Sequence, residues 1–190
     1  MYERNLTMHC AQKLTDHIYW IGSNDWSTER FENLFPIPNG VSYNSYFIDD
    51  EKTCIVDSVD DSIRQEFFDN VEHLLNGREL DYLIVNHMEP DHCATLVELL
   101  DRYPNVKMVG NKTTFRFFEQ FYGRPAPDNY YEVKEGDTID LGHHKLHSYT
   151  MPMVHWPEVT CTYESTTGTL FSADAFGTFG TINGNIFVYT

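Results

Sequence analysis

Along this chain the spacing of apolar residues changes character several times. His17 to Ile21, Val41 to Ile48 and Thr53 to Val56 are rich in aromatic and β-branched residues. The last two runs are parted by Asp49-Asp50-Glu51-Lys52, which predicts an antiparallel hairpin. Phe35-Pro-Ile-Pro-Asn-Gly40 predicts a loop, because its prolines fix φ and withhold backbone donors. From Asp60 the period lengthens: Ile63, Phe67, Val71, Leu74 and Leu75 fall on one face of a helix, with Asp61 or Ser62 as its cap. Tyr82-Leu-Ile-Val85 is a continuous apolar run of the kind a buried strand shows, and it stops just before His87. Cys93 to Leu100 predicts a helix, Val106 to Val109 a strand and Thr113 to Phe121 another helix. Strands follow at Tyr130 to Val133, Thr138 to Leu141, Lys145 to Thr150, Val159 to Tyr163 and Thr169 to Phe171. Strand and helix alternating, then strands alone, predict an α/β sandwich of sheets covered by helices.

Composition narrows the partners. The 190 residues are 41% hydrophobic, enough for one compact domain spanning 1–190. Lys and Arg number 13 against 29 Asp and Glu, a net charge of −16, which repels nucleic acid and anionic membrane surfaces. Cys10, Cys54, Cys93 and Cys161 are too scattered for a metal motif or a disulfide scaffold, which fits a reducing cytoplasm. Cys54 and Cys93 read as small core residues. No run approaches the roughly 20 apolar residues of a membrane span, and the start lacks a signal-peptide pattern, so a cytoplasmic protein is expected.

The chemistry is concentrated in His87-Met-Glu89-Pro-Asp91-His92, four possible metal ligands within six residues at the end of a predicted buried strand. Pro90 is expected to keep this loop from winding into a helix. One loop seldom fills two coordination spheres, and two further candidates sit after predicted strands. His155 lies in Met151-Pro-Met-Val-His-Trp-Pro157 and Asp174 in Phe171-Ser-Ala-Asp-Ala-Phe-Gly177. Taken alone, either could be an ordinary structural residue, a satisfied core histidine or a turn cap. Two Asp, one Glu and three His favour iron or manganese over a thiolate-poor zinc site, iron being the first choice, and Asp174, with two carboxylate oxygens, is the natural bridge. His143, His144 and His147, like His9, His17 and His73, are expected at the surface.

His87-x-Glu89-x-Asp91-His92, followed by His155 and Asp174, resembles the ligand pattern of flavodiiron proteins, oxygen and nitric oxide reductases of the metallo-β-lactamase fold. Glu89 stands where zinc hydrolases of that fold usually carry a histidine. The resemblance extends to Pro38-Asn-Gly-Val-Ser-Tyr-Asn-Ser-Tyr46, His155-Trp-Pro-Glu158 and Ser172-Ala-Asp-Ala-Phe-Gly-Thr-Phe-Gly180. It implies an αββα sandwich, incomplete at the C-terminus, holding a two-iron centre. His87, Glu89, His155 and Asp174 would hold one iron, and Asp91, His92 and the bridging Asp174 the other. It further implies a last histidine ligand and an FMN-carrying flavodoxin-like domain beyond residue 190. Asn185-Ile-Phe-Val-Tyr-Thr190 has no terminal character, and the chain is read as a fragment or shortened form, inactive alone. No Gly-rich phosphate loop appears, so FMN is expected only in a missing domain or partner. The expected function is reduction of O2 or NO with electrons from FMN or a rubredoxin-like donor, in a homo-oligomer. The alternatives are an oxygen-binding diiron sensor and, third, a zinc hydrolase.

Overall fold

The computed structural model describes residues 9–184 and 186, so most of the segment 185–190 lies outside the described residues. The elements are β1 (Gln12–Lys13), β2 (Ile18–Trp20), β3 (Ser23–Asp25), β4 (Arg30–Phe31), β5 (Phe35–Pro36), β6 (Val41–Tyr43), β7 (Tyr46–Ile48) and β8 (Cys54–Val56). A 3-10 turn (Asp61–Ile63) leads into α1 (Arg64–Leu75), β9 (Tyr82–Ile84), α2 (Pro90–Cys93), α3 (Leu96–Arg102), β10 (Lys107–Gly110), α4 (Lys112–Tyr122) and β11 (Tyr131–Glu132). A run of strands closes the series: β12 (Thr138–Asp140), β13 (Lys145–Thr150), β14 (Thr160–Glu164) and β15 (Thr169–Phe171).

Seven strands form one sheet in the order β1-β2-β7-β8-β9-β10-β11, antiparallel as far as β8 and parallel from β8 to β11. Four strands, β12 to β15, form an antiparallel meander. Alternation along each strand sorts the core into two layers. Phe47, Ile55, Leu83 and Met108 face helices α1, α3 and α4, where Phe67, Val71, Leu99 and Phe118 meet them. Their neighbours Ile48, Cys54, Val56, Ile84 and Val109 face the second sheet, against Ile139, Leu141, Leu146 and Phe171. Helices, sheet and sheet are three layers of the expected αββα sandwich; among the described residues, the helices that contribute to the core lie on the side of the larger sheet.

The predicted elements are present, with instructive differences. Val41 to Ile48 is broken at Asn44 and Ser45: β6 leaves to pair with β3, while β7 pairs with β8 as the expected hairpin. A side chain at Gly22, between β2 and β3, would put a Cβ 1.8 Å from the Tyr43 carbonyl oxygen, so this crossing admits only glycine. The helix after Asp60 is capped by Asp60 itself, whose carboxylate accepts from the Ser62 N–H at 2.9 Å, and not by Asp61 or Ser62. The expected helix from Cys93 is two helices, and Pro90 opens the first instead of preventing it: at the first helical position its missing N–H costs nothing. The strands β1, β3 and β4 were not legible, because Gln-Lys, Ser-Asn-Asp and Arg-Phe carry no apolar pattern, and the segment predicted as a loop from Phe35 opens with the two-residue strand β5. No helix among the described residues is long and apolar enough to cross a membrane.

Leu83 is fully buried between sheet and helices, whereas Leu34 is 65% exposed. Leu83→Ala should therefore lower unfolding free energy by about 2–5 kcal/mol, and Leu34→Ala should stay within about 0.5 kcal/mol, measured by urea denaturation followed by tryptophan fluorescence.

Candidate metal centre

The site lies past the C-terminal ends of the parallel strands, where open α/β sheets usually bind their ligands. After β8, Asp57 turns the chain with a left-handed φ of 58° and is buried. Its carboxylate accepts from the N–H groups of Asn86 at 2.7 Å and His87 at 3.4 Å, so β8 sets the path of the ligand loop that leaves β9. Asn86 joins the two sheets: its side-chain oxygen accepts from Thr160 and Thr162 of β14 at 3.2 and 2.8 Å. The Ser58 N–H and hydroxyl hold the His92 carbonyl at 2.9 and 3.0 Å. His155 and Asp174 arrive from the second sheet, on the loops after β13 and β15. Both loops are strained, with φ of 66° at Met153, 49° at Ala173 and 69° at Phe176, each costing on the order of 1–3 kcal/mol.

These six side chains converge into two donor sets that share Asp174. His87, Glu89, His155 and Asp174 form one set, and Asp91, His92 and Asp174 the other, every donor atom within 4.8 Å of the rest of its set. In the first, His87 Nε2 lies 3.0 Å from Glu89 Oε2 and 3.2 Å from Asp174 Oδ2. His155 Nε2 faces the same two oxygens at 3.0 and 3.1 Å. In the second, His92 Nε2 is 2.8 Å from Asp174 Oδ1 and 3.5 Å from Asp91 Oδ2. Asp174 thus turns one oxygen to each set.

The donors fit metal ions. Bonds of about 2.1 Å at right angles separate neighbouring donors by about 3.0 Å, close to the spacing in the first set. Among the described residues, the carboxylate oxygen Asp91 Oδ1 is buried without a hydrogen-bond partner, a cost that a cation bound by Asp91 would offset. Electrostatics agree. Burial pushes the Asp91 carboxyl up to about 6 against the pull of His92. For Asp174 burial also acts upward, but hydrogen bonds from His87 and His92 prevail and hold it well below the usual range. Burial alone would push the imidazoles down, yet bonds to Asp174, Glu158 and Glu89 hold His87 at about 11. Asp174, with Asp91 and Asp57, holds His92 at about 9. Without a metal, protons supply the positive charge this carboxylate cluster requires.

All six residues singled out in the sequence are in this cluster. Four supporting residues were missed: Asp57, Asn86, Trp156 and Glu158. Glu158 is fully buried, and its Oε1 accepts from His87 Nδ1 at 2.6 Å and the Met88 N–H at 3.0 Å, turning His87 Nε2 to the cavity. Trp156 stands edge-on to the His87 ring at 5.2 Å. Trp156 and Glu158 lie in the His155-Trp-Pro-Glu158 stretch that carries the resemblance, whereas no sequence signal marks Asp57 or Asn86. His144 corrects an expectation: it is buried, not at the surface, because Asp50, 94 residues away in sequence, accepts from its backbone N–H and Nδ1 at 2.6 and 2.8 Å. His9, His17, His73 and His143 are exposed as expected, while His147 is half-buried. Cys54 and Cys93 are buried free thiols, and burial pushes Cys93 up to about 12, which suits core residues.

A sandwich of two sheets with histidine and carboxylate donors at one end defines a metallo-β-lactamase-like protein. The chain belongs to the ODP family of beta lactamases, whose model matches residues 41–189. It is 36% identical over 168 residues to "Diflavin flavoprotein A 1" of Synechocystis sp., covering 88% of this chain and 29% of that protein. It is 36% identical over 176 residues to "Anaerobic nitric oxide reductase flavorubredoxin" of Pectobacterium atrosepticum, covering 90% and 33%. The flavodiiron protein from Giardia intestinalis superposes with a TM-score of 0.86 at 29% identity, over 92% of this chain and 42% of that one. Rubredoxin oxygen:oxidoreductase from Desulfovibrio gigas does so with 0.85 at 26% identity, over 91% and 43%. This chain therefore spans about a third of the length of these two curated relatives.

Glu158 generates a test of its own. Glu158→Gln keeps the volume but removes the charge behind His87, and should weaken metal binding at His87, Glu89 and His155 by about 10–100-fold, read by anaerobic Fe(II) titration with folding checked by circular dichroism. A folded variant with unaltered affinity would show that Glu158 does not tune the site.

Proposed function

We propose that this chain is the two-iron domain of an oxidoreductase that reduces O2 or NO, with electrons from FMN or a rubredoxin-like donor supplied elsewhere. The observation that carries this reading is Asp174, one oxygen facing His87 and His155 and the other His92. His87, Glu89, His155 and Asp174 hold one iron, and Asp91, His92 and Asp174 the other. Glu89 adds a hard oxygen donor, which suits iron better than an all-imidazole face would. Relatives named as a nitric oxide reductase and an oxygen:oxidoreductase support the substrate class.

The two irons, when bound, supply the redox chemistry that passes electrons to O2 or NO. The protein orients them: Glu158 fixes the His87 ring, and Asp57 and Ser58 fix the loop that carries Asp91 and His92. The cavity beside them measures about 690 Å³, with Phe31, Phe35, Trp156 and Phe179 in its wall. Apolar walls suit small apolar diatomics. Its volume far exceeds such a molecule, and His155 and Asp174 are exposed toward it. Met153, Val154 and Phe176, next to these two residues in sequence, are exposed apolar side chains, the last 91% exposed. Such a surface suits docking of an electron-donating domain, in a further part of the protein or a second copy of it. Residues 1–190 act in this reading as one metal-binding unit.

Asp174→Ala should abolish binding of a metal pair, whereas His147→Ala, away from the cluster, should leave metal content unchanged; elemental analysis after anaerobic Fe(II) loading checks both. Equal losses would sink the bridging role. Turnover of O2 or NO with a reduced donor supports the reductase, a stable oxygen adduct without turnover would point to a sensor, and zinc retained in preference to iron would point to a hydrolase.

Metal must also displace the protons held by His87 and His92, whose values lie at about 11 and about 9. Raised values mean that protons compete more strongly as pH falls. Apparent affinity should therefore drop by roughly tenfold per displaced proton for each pH unit below about 9, as titrations at several pH values would read.

A further inference from the structure

Asn111 stands where β10 gives way to α4, at the end of the strand that pairs in parallel with β9, Val109 opposite Ile84. It is therefore one strand away from the ligand loop, at the same end of the sheet. Its side chain performs two tasks at once. The Oδ1 atom accepts from the Thr113 and Thr114 N–H groups at 2.9 and 3.0 Å, which caps α4. The Nδ2 atom donates to the Glu158 carbonyl at 2.7 Å, 47 residues further along the chain. These partners fix which way the amide points, since helix N–H groups need an acceptor and a carbonyl needs a donor. Among the residues that cap helices well, asparagine alone carries a side-chain N–H for the second task. Glu158 is fully buried, and its Oε1 accepts from His87 Nδ1 at 2.6 Å and from the Met88 N–H at 3.0 Å. One residue thus has its backbone held by Asn111 while its carboxylate holds His87. Two residues later the Thr160 N–H donates to the Asn86 carbonyl at 2.9 Å, so the ends of two neighbouring parallel strands grip the segment on either side of Val159.

We infer that Asn111 is a positioning residue for the metal ion held by His87, Glu89 and His155, acting through Glu158. By tying the Glu158 backbone to the start of α4, it fixes the carboxylate that orients the His87 ring. This rests on the two-iron reading and extends it from the donors to the helix behind them, which itself supplies none of the donors. Without the amide N–H the Glu158 carbonyl loses its donor, and an aspartate there would also press a carboxylate against it. The segment then shifts, and His87 loses its fixed orientation.

The test uses the full chain with Asn111→Asp and Asn111→Ser, which keep a capping acceptor and should fold, and Asn111→Ala, which does not keep one. Anaerobic Fe(II) titration should find the ion at His87, Glu89 and His155 weakened by about tenfold or more in the Asp and Ser variants, and the ion at Asp91 and His92 little changed. Hydrogen exchange across residues 112–122 should stay as slow in these two variants as in the unmodified chain, whereas alanine should lose affinity and protection together. In the metal-free chain, the hydrogen-bonded His87 Nδ1 proton, identified by NMR through its response to Glu158→Gln, should shift or broaden in the Asp and Ser variants. Unchanged affinity, or an unchanged His87 signal, in both capping variants would overturn the inference. So would weaker binding seen only where α4 loses protection, which would reduce Asn111 to a helix cap. Should the unmodified chain bind no ion at His87, Glu89 and His155, the two-iron reading falls, and the His87 signal still decides for or against Asn111.

Discussion

The carboxylates of Glu89, Asp91 and Asp174 are forced into contact with three imidazoles at the seam between two sheets, and such crowding needs positive charge at its centre. Glu158 and Asp57 bring two more buried carboxylates to within one side chain of the same point. Burial, with Asp174 and Glu89 adding to it, pushes Asp91 up to about 6, while hydrogen bonds to Asp174, Glu158 and Glu89 overcome burial and hold His87 at about 11. Either protons or metal ions must satisfy the cluster. Because each Asp174 oxygen faces a different imidazole set, a pair of ions satisfies it more completely than one.

The two sheets contribute unequally. Donors after β9 are buried and tightly held: Asp57 sets the backbone, Ser58 binds the far end of the loop, and Asn86 ties its start to β14. Donors from the second sheet, His155 and Asp174, are exposed and sit in loops with left-handed residues. This division places the rigid half of the site in the core and the accessible half at the cavity. Met153, Val154 and Phe176, beside these two donors in sequence, are exposed apolar residues on the accessible half.

The small β4–β5 ladder lines the cavity with Phe31 and Phe35, whose rings pack on Phe179 in the chain following Asp174. The family resemblance suggested by the ligand loop is borne out by the family model and by structures of flavodiiron proteins, which the fold matches over most of the chain.

Long periodic segments were legible in the sequence because the burial of one face imposes its period on local composition: α1, α4, β13 and β15 lie where the pattern put them. The ligand loop was legible too, since adjacent residues such as His87, Glu89, Asp91 and His92 declare a shared site without any fold. What local composition left open was the relation between distant residues. Taken alone, His155 and Asp174 had structural readings; the family resemblance grouped them with the loop, and the second sheet brings them against it. Glu158 and Asp57 looked like ordinary acids until burial and the backbone of His87 gave them partners. His144 looked like a turn residue until Asp50 reached it. Short-range composition determines local elements because their bonds and faces are local, whereas metal sites and buried ion pairs depend on which chain segments packing makes neighbours, and that is decided only in three dimensions.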